Sequence, residues 1–386
     1  MSAQIEMKSL HTYPRLRVDL GKLRNNIRSV VSTCAAAGIE VAGVVKGFNG
    51  LLPAVAPFAE EGCRQIGSSR LEHLKAAREA GYCREVGAAD SDLPETLLVR
   101  IAMLSEVPAV VRYADLSLES EPAVVAALEE EAVRQGVTHS VILMADLGDL
   151  REGFWDKDEM VDFAVRIEEE MPHIELAGVG TNLGCYGAIC PDVEKMNELI
   201  GIAERIEARI GRKLRYISGG ATTSYPLVLD GSMPARINHL RIGEGIITNY
   251  DLPHLWGLDM APLQADVFTL QAEVIEVKKK PTHPVGRIFV DCFGDTPEYE
   301  DRGIRLRALL GMGKLDYALQ DALMPRLAGA FLVGDSSDHA ILDVEDCAGD
   351  EKMPPVKVGD ILTFDLKYSA VLYLSACRYI NVEYVD

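Results

Sequence analysis

Lys46 closes an apolar, β-branched run, Val-Ala-Gly-Val-Val-Lys46-Gly-Phe-Asn-Gly. Such a run reads as a buried strand. A lysine at the carboxyl end of a buried barrel strand lies where such folds put their chemistry. Partial desolvation there lowers the amine pKa and raises its nucleophilicity toward an aldehyde. Lys46 is then either a Schiff-base lysine, of the kind that holds pyridoxal phosphate, or a lysine snorkelling from a strand end. Three further segments follow strand-like runs. Asp146-Leu-Gly-Asp149-Leu-Arg151-Glu152-Gly offers an arginine that can clamp a carboxylate through two parallel hydrogen bonds, or form a surface pair. Ser218-Gly-Gly-Ala-Thr222-Thr223-Ser224 offers hydroxyls and backbone N–H groups for a phosphate, or is a polar turn. His239-Leu-Arg241-Ile-Gly243-Glu244-Gly245 could place a cation beside a cofactor, with two N–H groups at its phosphate.

The elements that must position these residues are legible in the pattern. Strand-like runs at Arg15–Val18, Glu40–Lys46, Gln65–Ser68, Thr96–Arg100, Leu116–Leu118, Ser140–Ala145, Leu176–Thr181, Tyr216–Ser218 and His239–Ile242 alternate with helical stretches at Gly21–Ala37, Ala123–Gln135, Lys157–Met171 and Asp192–Gly211. This alternation implies parallel strands with crossover helices, and its length suits a (β/α)8 barrel. After about Asp251 short β-rich runs follow: Ala272–Val277, Arg287–Asp291, Ala330–Val333, Ala340–Val344, Ile361–Phe364 and Ala370–Leu374. They imply a smaller, mostly antiparallel domain. The expected division is a barrel over 12–248 and a β domain over 249–386 with residues 1–11.

The chain has 386 residues, enough for two domains, and a formal charge of −20. That charge argues against nucleic acid or anionic membrane as a partner. No run of about 18 apolar residues suggests a membrane span, and the N-terminus lacks a secretory apolar core. Eight scattered cysteines form no CxxC pair. They read as free thiols in a reducing cytoplasm, with no zinc pattern.

Taken together, the four segments resemble the alanine racemase-like enzymes, the fold-type III pyridoxal phosphate family. The resemblance extends to Pro14-Arg-Leu-Arg-Val-Asp19-Leu-Gly-Lys-Leu-Arg-Asn-Asn-Ile and to Gly334-Asp-Ser-Ser337-Asp338-His339-Ala-Ile-Leu-Asp343. Its details are most similar to the ornithine racemase branch, through Val-Lys-Gly-x-x-Gly, Gln-Ile-Gly-x-Ser-Arg70-Leu-Glu, Asp-Leu-Gly-Asp-Leu-Arg-Glu-Gly and Ser-Ser-Asp-His. The resemblance implies pyridoxal 5′-phosphate on Lys46 and Arg241 against its pyridine nitrogen, where an arginine keeps that nitrogen unprotonated and suppresses transamination. It implies phosphate binding by Thr222, Thr223, Gly243 and Glu244, the last two through backbone N–H. It implies a substrate carboxylate on Arg151, supported by Ser337, with Asp338 in a structural role beside it. It also implies a homodimer with shared active sites.

The chain departs from the family in three places. Met144 stands where alanine racemase carries a lysine before the Asp-x-Gly turn. Asn182, in Gly180-Thr-Asn182-Leu-Gly-Cys185-Tyr186, replaces a histidine that stacks on the cofactor. No tyrosine sits at the place of the second acid/base in Pro284-Val-Gly-Arg287-Ile-Phe-Val-Asp291-Cys292-Phe-Gly-Asp-Thr-Pro-Glu-Tyr299. Cys292 is the choice there, with Asp291 and Tyr299 as alternatives. The expectation is a two-base racemase of a basic amino acid, ornithine or lysine, with Asp149, Glu152, Asp291 and Glu298 available to face a cationic side chain. A racemase of alanine or serine, a decarboxylase of basic amino acids and a hydroxyamino-acid lyase of the same fold are the alternatives. The decarboxylases use a Cys-Asp pair where this chain has Ser337-Asp338, and the lyase needs a metal that Cys347 and His339 only weakly suggest.

Overall fold

A computed structural model describes residues 11–88, 92–349 and 356–386. The strands are β1 (Arg15–Asp19), β2 (Glu40–Val44), β3 (Gln65–Ser68), β4 (Glu95–Leu98), β5 (Leu116–Glu119), β6 (His139–Met144), β7 (Ile174–Gly180), β8 (Tyr216–Ser218), β9 (His239–Ile242), β10 (Phe268–Pro281), β11 (Ile304–Leu310), β12 (Leu323–Pro325), β13 (Phe331–Asp335), β14 (Ala340–Asp343), β15 (Ile361–Leu366) and β16 (Asn381–Val385). They fall into two compact units. One is Leu23–Gln264, and the other joins the segment up to Lys22 with Ala265–Asp386.

In the first unit β2 to β9 close into a parallel barrel, sealed where Ala42 of β2 pairs with Arg241 of β9. Ala42, Leu97, Leu116, Leu118, Ile142, Met144, Ala177 and Tyr216 fill the interior. The alternate residues of the same strands, such as Val141, Leu143, Leu176 and Val179, pack outward on the helices. This two-sided burial explains why the strands read as apolar runs. Local chemistry sets the helix limits. Helix Val193–Ile210 starts at Asp192, whose carboxylate accepts from Lys195 N at 2.8 Å, and stops at Gly211 with φ +76°.

The expected first strand, Arg15–Val18, is a strand of the other unit. It pairs antiparallel with β10 and parallel with β16. Its alternation, with Leu16 and Val18 buried and Arg17 exposed, is that of a one-face sheet rather than a barrel strand. The barrel unit also runs on to Gln264, beyond the expected limit at 248. Asn26 ties this segment to the barrel unit. Its amide donates to the carbonyls of Ile246 (2.9 Å) and Gln264 (2.7 Å), and its oxygen accepts from Gln264 N (2.8 Å). The expected placing of residues 1–10 with the β domain lies outside the described residues.

The second unit is an eight-stranded, mostly antiparallel sheet. Two expected strands are absent from it. Ala370–Leu374 lies in a helix, Tyr368–Ala376, which buries Ala370, Val371 and Leu374 on one face. A five-residue apolar run alone does not separate the two structures. Arg287–Asp291 lies in an irregular loop whose base is closed by Thr282 N donating to Gly303 O (2.9 Å). Among the described residues no helix is long and apolar enough to cross a membrane.

One buried acid makes stability depend on pH. Glu119, at the end of β5, is 0% exposed, and one of its carboxyl oxygens has no hydrogen-bond partner. Burial pushes its pKa from 4.5 up to about 8. The fold therefore holds a proton that the unfolded chain releases, and this contribution is lost as pH rises from about 4.5 to about 8. Glu119→Gln removes the dependence. Urea unfolding at pH 5 and pH 8 should show the variant gaining on the wild type as pH rises, by at most about 1.4 kcal/mol per pH unit. Parallel stability curves would contradict this.

Candidate active site

All eight barrel strands run the same way, so the residues that follow them gather at one mouth. Lys46 follows β2, Arg151 β6, Asn182 β7, Thr222 and Thr223 β8, and Gly243 and Glu244 β9. The strand before Lys46 ends at Val44, two residues earlier than expected, and Lys46 opens a single 3₁₀ turn, Lys46–Phe48. That turn is pinned. Val45 N donates to Gly67 O (2.8 Å), Asn49 N to Lys46 O (3.1 Å), and buried Phe48 stacks on Phe58 at 5.8 Å. Lys46 is half-buried. Burial holds its ammonium pKa below the ordinary value, and the positive charges of Arg151 and Arg241 act in the same direction.

Arg241 is buried, and burial lowers its pKa to about 10, so it stays a cation at neutral pH. It donates to Ser218 Oγ, to Thr181 O (2.7 Å) and to Asn182 Oδ1 (3.5 Å). Beneath it a hydrogen-bond chain crosses the barrel interior. His239 Nδ1 meets Ser218 Oγ at 2.8 Å and its Nε2 meets Gln65 Oε1 at 3.1 Å. Gln65 donates to Glu95 (3.0 Å) and to the Tyr216 hydroxyl (2.7 Å), and Glu95 is held by Arg84 (2.7 Å) and Arg215 (2.9 Å). The roles follow from the far end. The Gln65 amide nitrogen faces Glu95, so its oxygen faces His239, and Nε2 must carry the imidazole proton. Nδ1 is then an acceptor for the Ser218 hydroxyl, whose lone pairs face Arg241. Burial, with Arg241 and Arg215 adding to it, lowers the His239 pKa to about 3 and keeps the ring neutral. Sequence reading had quoted Ser218 and His239 only as parts of motifs. Their signal was the i, i+2 pair His239 and Arg241, two polar residues on one face of a buried strand.

Arg151 lies on a loop closed at its base, where Asp146 N donates to Phe154 O (3.1 Å) and Phe154 N to Met144 O (2.8 Å). Gly153, at φ +126°, is required there, because a Cβ would lie 2.4 Å from Asp146 N. Asp146 caps the turn through Gly148 N (2.8 Å) and Leu150 N (3.1 Å). Asp149 is buried and accepts from Cys185 N (3.2 Å) and Tyr186 N (3.0 Å), tying this loop to the one after β7. Both Asp149 oxygens are thus engaged by backbone N–H groups. Glu152 grips Arg151 in a two-point pair, one contact at 2.6 Å and the other between Arg151 Nε and Glu152 Oε2. Exposed Cys185, which sequence reading treated only as a free thiol, shares this charged neighbourhood with Lys46, Arg151 and Arg241. Met144, where a supporting lysine would stand, is fully buried in the barrel interior.

The two expected phosphate loops touch. Gly245 N donates to Thr222 Oγ1 at 3.2 Å, and Thr223 Oγ1 donates to Leu183 O at 2.8 Å. The Glu244 carboxyl turns to Thr248 Oγ1 (2.8 Å) and Tyr250 N (2.8 Å), which leaves only its backbone for a phosphate. One atom here fits a bound group directly: Asn182 Nδ2 is buried with no hydrogen-bond partner. An unpaired buried donor beside a cation is costly unless a ligand acceptor meets it. With the lysine, the arginine and the hydroxyl-bearing loops, it fits pyridoxal phosphate.

Cys292, Ser337 and Asp338 belong to the β unit. Ser337 Oγ donates to Asp338 Oδ2 (2.6 Å), in a turn where Leu315 N also reaches Ser337 O (3.1 Å). Cys292 is exposed in the loop between β10 and β11. Asp291 beside it accepts from Phe293 N (2.8 Å) and Asp295 N (2.9 Å), and the backbone bonds to Asp295 and Phe293 hold its carboxyl below the usual range. That makes Asp291 a poor base. Among the described residues no group of histidine, cysteine and carboxylate side chains is placed to hold a metal ion.

Comparison with known proteins is consistent with this geometry. The family model "Alanine racemase, N-terminal domain" matches residues 18–250. An ornithine racemase from Acetoanaerobium sticklandii is 35% identical over 371 residues, covering 96% of this chain and 99% of that protein. A lysine racemase from Thermotoga maritima is 34% identical, covering 96% of this chain and 98% of that protein. The solved alanine racemase of Clostridium difficile superposes with a TM-score of 0.69 at 15% identity, covering 97% of this chain and 96% of that one, and so shares the fold. The chain belongs to the alanine racemase family.

Proposed function

We propose that the racemase chemistry of this chain is directed at a basic amino acid, ornithine or lysine, with pyridoxal phosphate held at the barrel mouth. The observation that carries the reading is the half-buried Lys46, its ammonium form disfavoured, gathered with Arg151 and Arg241 by one parallel barrel. The near full-length likeness to an ornithine and a lysine racemase supports the substrate class.

When bound, pyridoxal phosphate supplies an electron sink for the charge left as the α-proton departs. Lys46 would hold the cofactor, Thr222, Thr223 and the backbone at Gly243 and Glu244 its phosphate, and Arg241 its ring nitrogen. Asn182 brings the unpaired amide. Arg151 binds the substrate carboxylate, a planar fork on a planar anion, with Ser337 supporting it and Asp338 beside Ser337. The Lys46 amine takes or returns the α-proton on one face. Cys292 serves the opposite face, from a second copy of the chain. Support for a second copy comes from the loop that carries Cys292, where Val285 is 92% and Phe289 73% exposed, with Val290 and Phe293 also uncovered. Exposed apolar side chains grouped in one loop support an interface there. The reading places the enzyme in the cytoplasm.

Proton NMR of L-ornithine in D2O with the cofactor-loaded protein should show loss of the α-proton signal, and chiral chromatography should recover D-ornithine. Lys46→Ala should abolish both. An unchanged signal with ornithine and with lysine would overturn the reading, and putrescine as product would replace racemase by decarboxylase. Cys292→Ala should slow net inversion by about 10²- to 10⁴-fold, while solvent exchange at one enantiomer persists because Lys46 still serves its face. Full inversion by that variant removes the thiol from the mechanism. Phe289→Asp should convert a dimer to an inactive monomer in sedimentation velocity, and an active monomer would refute the shared site.

A further inference from the structure

The Arg151–Glu152 pair carries a consequence for substrate choice. Glu152 occupies one of the two edges of Arg151 on which a planar carboxylate can sit, that of Nε and one terminal nitrogen. The two other acids of the loop are engaged differently: Asp146 Oδ1 accepts from Gly148 N and Leu150 N, and each Asp149 oxygen accepts from a backbone N–H group. Glu152 is also no remote surface charge. Its side chain is 16% exposed, and its field reaches Lys46 and Arg241 as well as Arg151.

We propose that Glu152 is the specificity-determining residue of the site, released from Arg151 by the substrate α-carboxylate and then paired with the substrate's distal ammonium. The inference rests on the racemase reading above. A dibasic amino acid exchanges partners one for one: its carboxylate takes Arg151, and its side-chain cation takes Glu152. No charge is left unpaired. A substrate with a neutral side chain takes Arg151 and leaves Glu152 a half-buried carboxylate without its cation. Leaving a desolvated charge unpaired is what makes a site reject an analogue that lacks the matching group. The same residue thus guards the clamp against monocarboxylates and selects the cation. Sequence reading named Glu152 as one of four acids that could line the pocket, and its pairing with Arg151 distinguishes it from the rest.

The test compares L-ornithine with L-norvaline, the same carbon chain without the distal ammonium, on the cofactor-loaded wild type, on Glu152→Gln and on Glu152→Asp. Glu152→Gln should raise KM for ornithine by about 10- to 100-fold, with a smaller change in kcat, and should leave KM for norvaline unchanged or lower. Glu152→Asp should restore part of the ornithine preference. Equal losses on both substrates would show that Glu152 only props Arg151 and would overturn the assignment. An ornithine preference that survives in Glu152→Gln would overturn it while leaving the basic substrate intact. A wild type with the same kcat/KM for the two compounds would overturn the assignment and the basic substrate together.

Discussion

Three cations, Lys46, Arg151 and Arg241, meet at one barrel mouth, and their mutual repulsion sets the terms for whatever binds there. Each responds differently. Lys46 has its ammonium form disfavoured relative to an exposed lysine. Arg241 cannot lose its proton at neutral pH and is held by oxygen acceptors, Ser218 Oγ, Thr181 O and Asn182 Oδ1. Arg151 takes a carboxylate, Glu152, as its partner. The proposed cofactor phosphate and substrate carboxylate would bring the remaining negative charge.

The acceptor beneath Arg241 is available only because His239 is neutral. A protonated ring would donate to Ser218 from Nδ1 and disturb the hydroxyl that now keeps its lone pairs for the guanidinium. Through Gln65, Glu95 sets which ring nitrogen carries the proton, from the other end of the barrel interior and without touching the mouth. Burial of the imidazole keeps the ring neutral, since a second cation beside Arg241 in a low-dielectric interior is expensive. The relay thus fixes an arginine head by fully matched donors and acceptors rather than by an opposing charge.

Much of this was legible in the chain. Gln65–Ser68, Tyr216–Ser218 and His239–Ile242 are strands with the expected limits, set by their regular alternation with helical stretches, although each carries polar residues that the barrel buries. Misreadings arose where apolar residues do not report what covers them. Arg15–Val18 joined the other sheet, Ala370–Leu374 coiled into a helix, and Arg287–Asp291 was left exposed in a loop. The barrel unit runs on to Gln264, where Asn26 makes hydrogen bonds that span more than two hundred positions of sequence.

By itself the sequence determined the fold class and supplied the candidates for the site, because strand periodicity, glycine-bearing turns and the order of Lys46, Arg151, Thr222 and Arg241 are properties of the covalent chain. Tertiary structure decided which side chains remain available. Asp149 was spent on the backbone of a neighbouring loop, the Glu244 carboxyl turned to Tyr250, and Glu152 was set against Arg151. Residue type states what a group can do. Its partners, which closure of the barrel brings from distant positions, state what it is left free to do.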